Sequence, residues 1–182
     1  EKYNYLSGEK VALLLDVNAL ISEEASIPAF NSYDLSTNEQ WALLETETDQ
    51  IYRRSSKSVV WVVNLQSQQA TKIRPQKISN ATFSPDGNYV AYVYDNNLCI
   101  YDISEDTHIK ITSDGSFNRI INGATDWVYE EEFSIVKVFW WSPNSDKLAY
   151  LKFDESNVRK FNMDIYGKEL YPNPYTFKYP KA

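Results

Sequence analysis

The chain has 182 residues, 43% hydrophobic and 24% charged, which is enough for one domain or for a piece of a larger one. Its net charge of −7 argues against nucleic acid as a partner, since a phosphate backbone needs a basic surface. The longest apolar runs, such as residues 11–15, are far too short to cross a bilayer. Aromatic residues make up 15% of the chain, including 14 tyrosines, a density that suits strands.

Taken in order, residues 1–30 contain two apolar stretches, 10–16 and 19–22, which predict a hairpin. The opening Glu1-Lys2-Tyr3 is not a signal peptide, and a processed chain would begin the same way, so export stays open. A repeat then begins. Residues 35–44, 83–92 and 141–150 share one pattern: an apolar or aromatic residue, a serine, a turn, then a long or aromatic side chain leading an apolar strand. The turns have the right chemistry, with Pro85-Asp86-Gly87 and Pro143-Asn144-Ser145 in two of them. The serines are Ser36, Ser84 and Ser142, separated by 48 and then 58 residues. A period of about fifty residues made of short strands is the signature of a β-propeller blade.

The repeat predicts an all-β fold: part of a β-propeller, about three four-stranded antiparallel blades. Strands are expected near 40–45, 58–65, 80–83, 88–94, 98–103, 107–112 and 146–153, with a tight turn at Asp95-Asn96-Asn97 and a longer polar hairpin tip at 46–57. The expected division is a partial preceding blade at 1–30, a blade at 31–78, a blade with an inserted acidic turn at 79–134, and a blade with an extended arm at 135–182. Three blades leave apolar faces open at both ends, so the chain is expected to be a fragment of a larger ring.

The third repeat starts ten residues late, and the excess lies between Thr112 and Phe139. It holds Asp126-Trp127-Val128-Tyr129-Glu130-Glu131-Glu132-Phe133. A run of glutamates is most often a solvated helix face. Here Trp127, Tyr129 and Phe133 want burial and would pin a helical turn, holding carboxylates toward a cation. The tail, 162–182, is rich in tyrosine and carries Pro172, Pro174 and Pro180; it is expected to project as an extended two-strand arm.

Catalytic and metal chemistry is not evident. No Gly-x-Ser-x-Gly elbow, phosphate loop or Cys/His metal spacing occurs in the sequence, and no cofactor is expected. His108 is expected to be an ordinary strand histidine, and the single cysteine, Cys99, a buried structural thiol. Asn80-Ala81-Thr82 is a formal glycosylation sequon of a kind common by chance.

The segment 126–133 followed by Trp140-Trp141-Ser142-Pro143 closely resembles the propeller of the dipeptidyl peptidase IV family, within the prolyl oligopeptidase-type serine peptidases. Tyr33-Asp34-Leu35-Ser36, Trp41-Ala42-Leu43-Leu44-Glu45 and the closing Tyr179-Pro180-Lys181-Ala182 resemble the same family in the same order. The spacing between the glutamates and Trp140-Trp141 departs by one residue from the mammalian pattern of that family, so the resemblance implies a bacterial-type member. The resemblance implies an eight-bladed propeller joined to an α/β-hydrolase domain that carries the Ser, Asp and His, so no catalytic residue is expected in this chain and the piece alone is expected to be inactive. It implies an exopeptidase releasing N-terminal Xaa-Pro or Xaa-Ala dipeptides. Glu131 and Glu132 would hold the free α-ammonium of the peptide, and Arg53, after Tyr52, a substrate carbonyl oxygen. Arg54 and Glu130 are further candidates, with Glu130 expected as the outward neighbour. The resemblance also implies a homodimer built partly by the 162–182 arm, and a periplasmic, cell-surface or secreted location. A non-catalytic interaction module and an inactive homologue remain open as other readings.

Overall fold

The computed structural model describes residues 1–23 and 27–179. It is almost entirely strands. After β1 (Lys2–Tyr3) and β2 (Lys10–Ala12), the strands β3 (Phe30–Leu35), β4 (Trp41–Gln50), β5 (Ser56–Asn64) and β6 (Ala70–Lys72) form one four-stranded antiparallel sheet in sequence order. β7 (Ser79–Phe83), β8 (Tyr89–Tyr94), β9 (Asn97–Asp102) and β10 (Thr107–Lys110) form a second. These are two complete blades of a β-propeller.

Both sheets bury both faces, and the period of two in their sequences shows how. Leu43, Val60 and Val62 point from the first sheet toward Val90, Tyr92, Cys99 and Tyr101 of the second. The alternate residues Ala42, Leu44, Trp61 and Val63 point the other way, under Leu15, Leu20, Ile27 and Phe30. From the second sheet Ala91, Val93 and Leu98 pack on Phe139 of the third repeat. An unbroken apolar run is what a strand held between two neighbours requires.

The repeated serines do one job three times. Ser36, Ser84 and Ser142 each accept, through Oγ, the backbone N–H five residues on, from Trp41, Tyr89 and Lys147, at 2.9, 3.0 and 2.9 Å. Each hydroxyl then donates to Asn38, Asp86 or Asp146. The turns also link blade to blade: Asn38 donates to the Asp86 carbonyl at 2.9 Å, and the Asp86 N–H donates to Ser145 at 3.0 Å. Gly87 is required here, with φ of +76° and the place of a Cβ only 2.7 Å from the Asn38 side chain.

Several expectations need correction. The hairpin at 10–16 and 19–22 does not form; Lys10–Ala12 pairs back with Lys2–Tyr3, and Val17–Ala19 is a short 3-10 turn capped by Asp16. The polar tip expected at 46–57 is mostly strand, since Asp49 pairs with Lys57 and Gln50 with Ser56, leaving only 51–55 to turn. The strand expected at 146–153 is two, β13 (Leu148–Tyr150) and β14 (Lys152–Asp154), and these pair with different partners. β14 pairs with β11 (Ile120–Asn122), while β13 pairs with β12 (Phe139–Trp141). The acidic insertion therefore interrupts the strand opposite β13 and β14. It lies between β11 and β12, and a boundary at 134/135 would cut through it.

The Asp95-Asn96 turn is as expected, with φ of 48° and 58°, the left-handed pair a two-residue hairpin needs. His108 lies on β10 with Nδ1 2.9 Å from the Tyr92 hydroxyl, and Cys99 is buried and free. Asn80 sits at the cavity described below, its side chain directed to the Val136 carbonyl. The tail is a hairpin, β15 (Lys160–Ile165) paired with β16 (Asn173–Lys178). Its final residues, 180–182, lie outside the described residues.

Candidate functional site

The acidic motif folds as a two-turn helix, α1 (Trp127–Phe133). Asp126 is its N-cap and accepts the Tyr129 N–H at 2.9 Å; Ser134, left-handed at φ 58°, closes it. A small hairpin stem carries the helix: Ala124 pairs with Lys137, and the Thr125 hydroxyl donates to the Ile135 carbonyl at 2.7 Å. Two of the three aromatics pin it; Phe133, expected to be buried as well, is 61% exposed and meets Tyr129 of its own helix. Tyr129 meets Phe153 at 4.9 Å between ring centroids, and Trp127 meets Tyr179 at 5.0 Å. A helix this short has little stability of its own, so this packing holds it.

An α-helix turns about 100° per residue, so three successive glutamates must point three ways. Glu130 points inward and is 1% exposed. Its Oε1 accepts two consecutive backbone N–H groups from the tip of the β4–β5 hairpin, those of Arg54 at 2.6 Å and Ser55 at 2.9 Å. The expectation that Glu130 faces outward is thus wrong; its carboxylate is consumed by the β4–β5 hairpin of the first sheet. Glu131 is half-buried and Glu132 exposed.

The same hairpin tip brings Arg53 to Glu131, with Nε 3.7 Å from Oε1. Of the adjacent arginines, Arg53 provides the guanidinium and Arg54 the backbone N–H. The Arg53 side chain is 72% exposed, so the ion pair contributes at most about 1 kcal/mol to the fold and leaves both groups available to a ligand. Arg53 and Glu131 therefore meet at the surface, held by elements of two different blades, with Glu132 next in the helix.

Behind the helix lies a cavity of about 590 Å³, lined among others by Tyr52, Tyr94, Asn118, Asp126, Trp127 and Glu155. Arg53, Glu131 and Glu132 are not part of its wall, so the ion pair does not open onto this hollow. Glu155, which sequence reasoning passed over, is 6% exposed. Burial pushes its carboxyl up to about 7; the Asp126 charge adds to the rise and Lys178 opposes it. Tyr52 is also pushed up, by burial first and then by Tyr175. The sequence signal for Glu155 was slight: a carboxylate in a Phe153-Asp154-Glu155 strand end, with no charge run around it. Among the described residues, no group of three or more His, Cys, Asp or Glu is arranged to hold a metal. No helix among them is long and apolar enough to cross a membrane.

A propeller piece whose inserted helix presents acidic groups beside an arginine from a different blade defines the class. Residues 36–182 match the family model of the dipeptidyl peptidase IV N-terminal region, and the chain belongs to that family. Prolyl endopeptidase FAP of Bos taurus is 35% identical over 99% of this chain and 23% of its own length. Dipeptidyl aminopeptidase B of Saccharomyces cerevisiae is 41% identical over 77% of this chain and 18% of its own length. The crystal structure of Porphyromonas gingivalis dipeptidyl peptidase 4 superposes with a TM-score of 0.92 at 38% identity, over 99% of this chain and 26% of that one. The chain thus spans about a quarter of the length of these larger proteins or less.

Proposed function

We propose that this chain is the substrate-recognition part of a dipeptidyl peptidase IV-like serine exopeptidase. Glu131 and Glu132 accept hydrogen bonds from the free α-ammonium of a peptide, and Arg53 donates to a substrate carbonyl oxygen. The observation that carries this reading is the 3.7 Å approach of Arg53 to Glu131, between elements drawn from two blades and fixed beneath by buried contacts. An α-ammonium has a pKa near 8, so it is charged at neutral pH and suits two carboxylates. Being a chain terminus, it also sets a length limit. A blocked or longer N-terminus leaves the carboxylates without a partner, which is how such a site rejects endopeptidase substrates.

In this reading a hydrolase domain outside these residues supplies the nucleophile, and the propeller piece alone does not turn over substrate. The preferred peptides carry Pro or Ala second. The β15–β16 arm contributes to a homodimer, and the protein works in the periplasm, at the cell surface or in the medium. The family supports these last assignments, and the exposed Ile165, Tyr166, Leu170 and Tyr171 at the arm's tip support the dimer.

The test is kinetic, on the full-length enzyme. Glu131→Ala and Glu132→Ala are each expected to lower kcat/KM for an Ala-Pro anilide by about 2–5 kcal/mol equivalent. N-acetylation of the substrate is expected to abolish turnover. Near-unchanged turnover in both variants refutes the role.

A further inference from the structure

We infer that Glu130 is the positioning residue of this site: its buried carboxylate sets the distance between Arg53 and the glutamates Glu131 and Glu132, and never touches substrate. The inference rests on the reading of Glu131, Glu132 and Arg53 given above and adds what holds them in place.

The geometry is a clamp between elements that are remote in sequence. Glu130 lies 76 and 75 residues from Arg54 and Ser55. One oxygen takes both N–H groups, which requires the hairpin tip to bend its successive amides toward a single point. The tip is braced for this by its own bonds, Ile51 N–H to the Ser55 carbonyl at 2.8 Å and Tyr52 N–H to the Ser55 hydroxyl at 3.2 Å. Without the carboxylate two amides would be stranded, and without the amides a 1% exposed charge would be unpaired; either arrangement is strongly disfavoured. Charge-assisted bonds of this kind hold their length within a few tenths of an ångström.

The clamp is also adjacent to the site on both sides. Arg53 precedes Arg54, and Glu131 follows Glu130. Neighbouring Cα atoms are about 3.8 Å apart, so any slip at the clamp passes almost undiminished to the guanidinium and to the Glu131 carboxylate. The Arg53–Glu131 pair, with its guanidinium 72% exposed, is too weak to fix a distance. Burial and bonding thus give the three glutamates different roles, since two receive the ligand and one sets the spacing.

A pair of conservative changes separates spacing from charge. Glu130→Gln keeps an oxygen where both N–H groups can donate but removes the charge. Glu130→Asp keeps the charge but draws the tip in by one methylene, about 1.5 Å. KM and kcat for an Ala-Pro anilide are measured in the full-length enzyme, together with the rate at which a small fluorophosphonate labels the active-site serine. Glu131→Ala serves as the comparison. The expected result is a KM about tenfold to a hundredfold higher for Glu130→Asp, a change under about threefold for Glu130→Gln, and unchanged labelling in both. An unchanged KM in Glu130→Asp overturns the inference. So does a loss in Glu130→Gln as large as in Glu130→Asp, or a loss of labelling, which would mark a role in folding alone. If Glu131→Ala is itself silent, the ammonium reading fails and the inference falls with it; if Glu131→Ala is damaging and Glu130→Asp is silent, only the inference fails.

Discussion

Trp127 and Tyr179 stand with their ring centroids 5.0 Å apart, so the acidic helix is fastened to the root of the exposed arm. Phe177 joins them, 6.3 Å from each, and Phe161 packs on Phe177 from the opposite strand at 5.5 Å. Aromatic pairs in these tilted arrangements add to the area they bury. Trp127→Ala is expected to destabilise the chain by about 2–4 kcal/mol, and Trp127→Phe by under about 1.5 kcal/mol. Urea unfolding followed by circular dichroism checks both, and equal stability of the alanine variant would deny the packing its role.

Glu155 makes the chain sensitive to pH. Its folded-state pKa, about 7, lies above the ordinary value of 4.5, because burial disfavours the charge. The folded protein therefore holds this proton more tightly than the unfolded chain. The contribution is most favourable below pH 4.5 and is lost as the pH rises through 7. Glu155→Gln, which cannot ionise, is expected to raise Tm relative to the unchanged chain at pH 8 and to bring little gain at pH 5. The same Tm difference at both values would show that Glu155 does not ionise in this range.

The rim motif carries a stability prediction of its own. Ser84 is 1% exposed and accepts the Tyr89 N–H while donating to Asp86. Burial works against a charge on Asp86, yet the Ser84 hydroxyl and the Asn88 N–H hold its carboxyl below the usual range. Ser84→Ala is expected to cost about 1–3 kcal/mol, since it strands the Tyr89 N–H. Chemical denaturation at pH 7 measures it, and a loss below about 0.5 kcal/mol would show that the N–H finds another partner.

The arm can be tested without disturbing its root. Tyr166, Leu170 and Tyr171 are 81%, 88% and 76% exposed, while Phe177 packs on Trp127. If the arm builds the dimer proposed above, changing the first three to serine in the full-length protein yields a monomer with the fold kept, as read by light scattering and circular dichroism. A mass unchanged by the substitutions refutes the arm's part in assembly.

The repeat made the blades legible. Ser36, Ser84 and Ser142 stand out because each performs the same bond in the same turn, and the apolar runs behind them follow from burial on both faces. The pairing of Arg53 with the acidic turn was reached through family resemblance, since 78 residues separate it from Glu131 and no local pattern connects them. Glu130 was misjudged because three identical side chains carry no mark of direction; the helix phase and the bare amides of a distant hairpin decide which one turns inward. The N-terminal hairpin failed for another reason. Leu15 and Leu20 spend their apolar surface covering Ala42 and Trp61 of the first sheet, a tertiary demand that outweighs local pairing.

The insertion leaves its strand and returns to it at almost the same place: the Val138 N–H donates to the Gly123 carbonyl at 3.1 Å. Fourteen intervening residues, 124–137, thus form a cassette whose ends already touch. Gly123, at φ +77° and flanked by Leu98, Phe139 and Val93, is the hinge pin of that junction. The ends of the insertion meet at β11 and β12, so the strands on either side keep their course through the sheet whatever the loop between them holds.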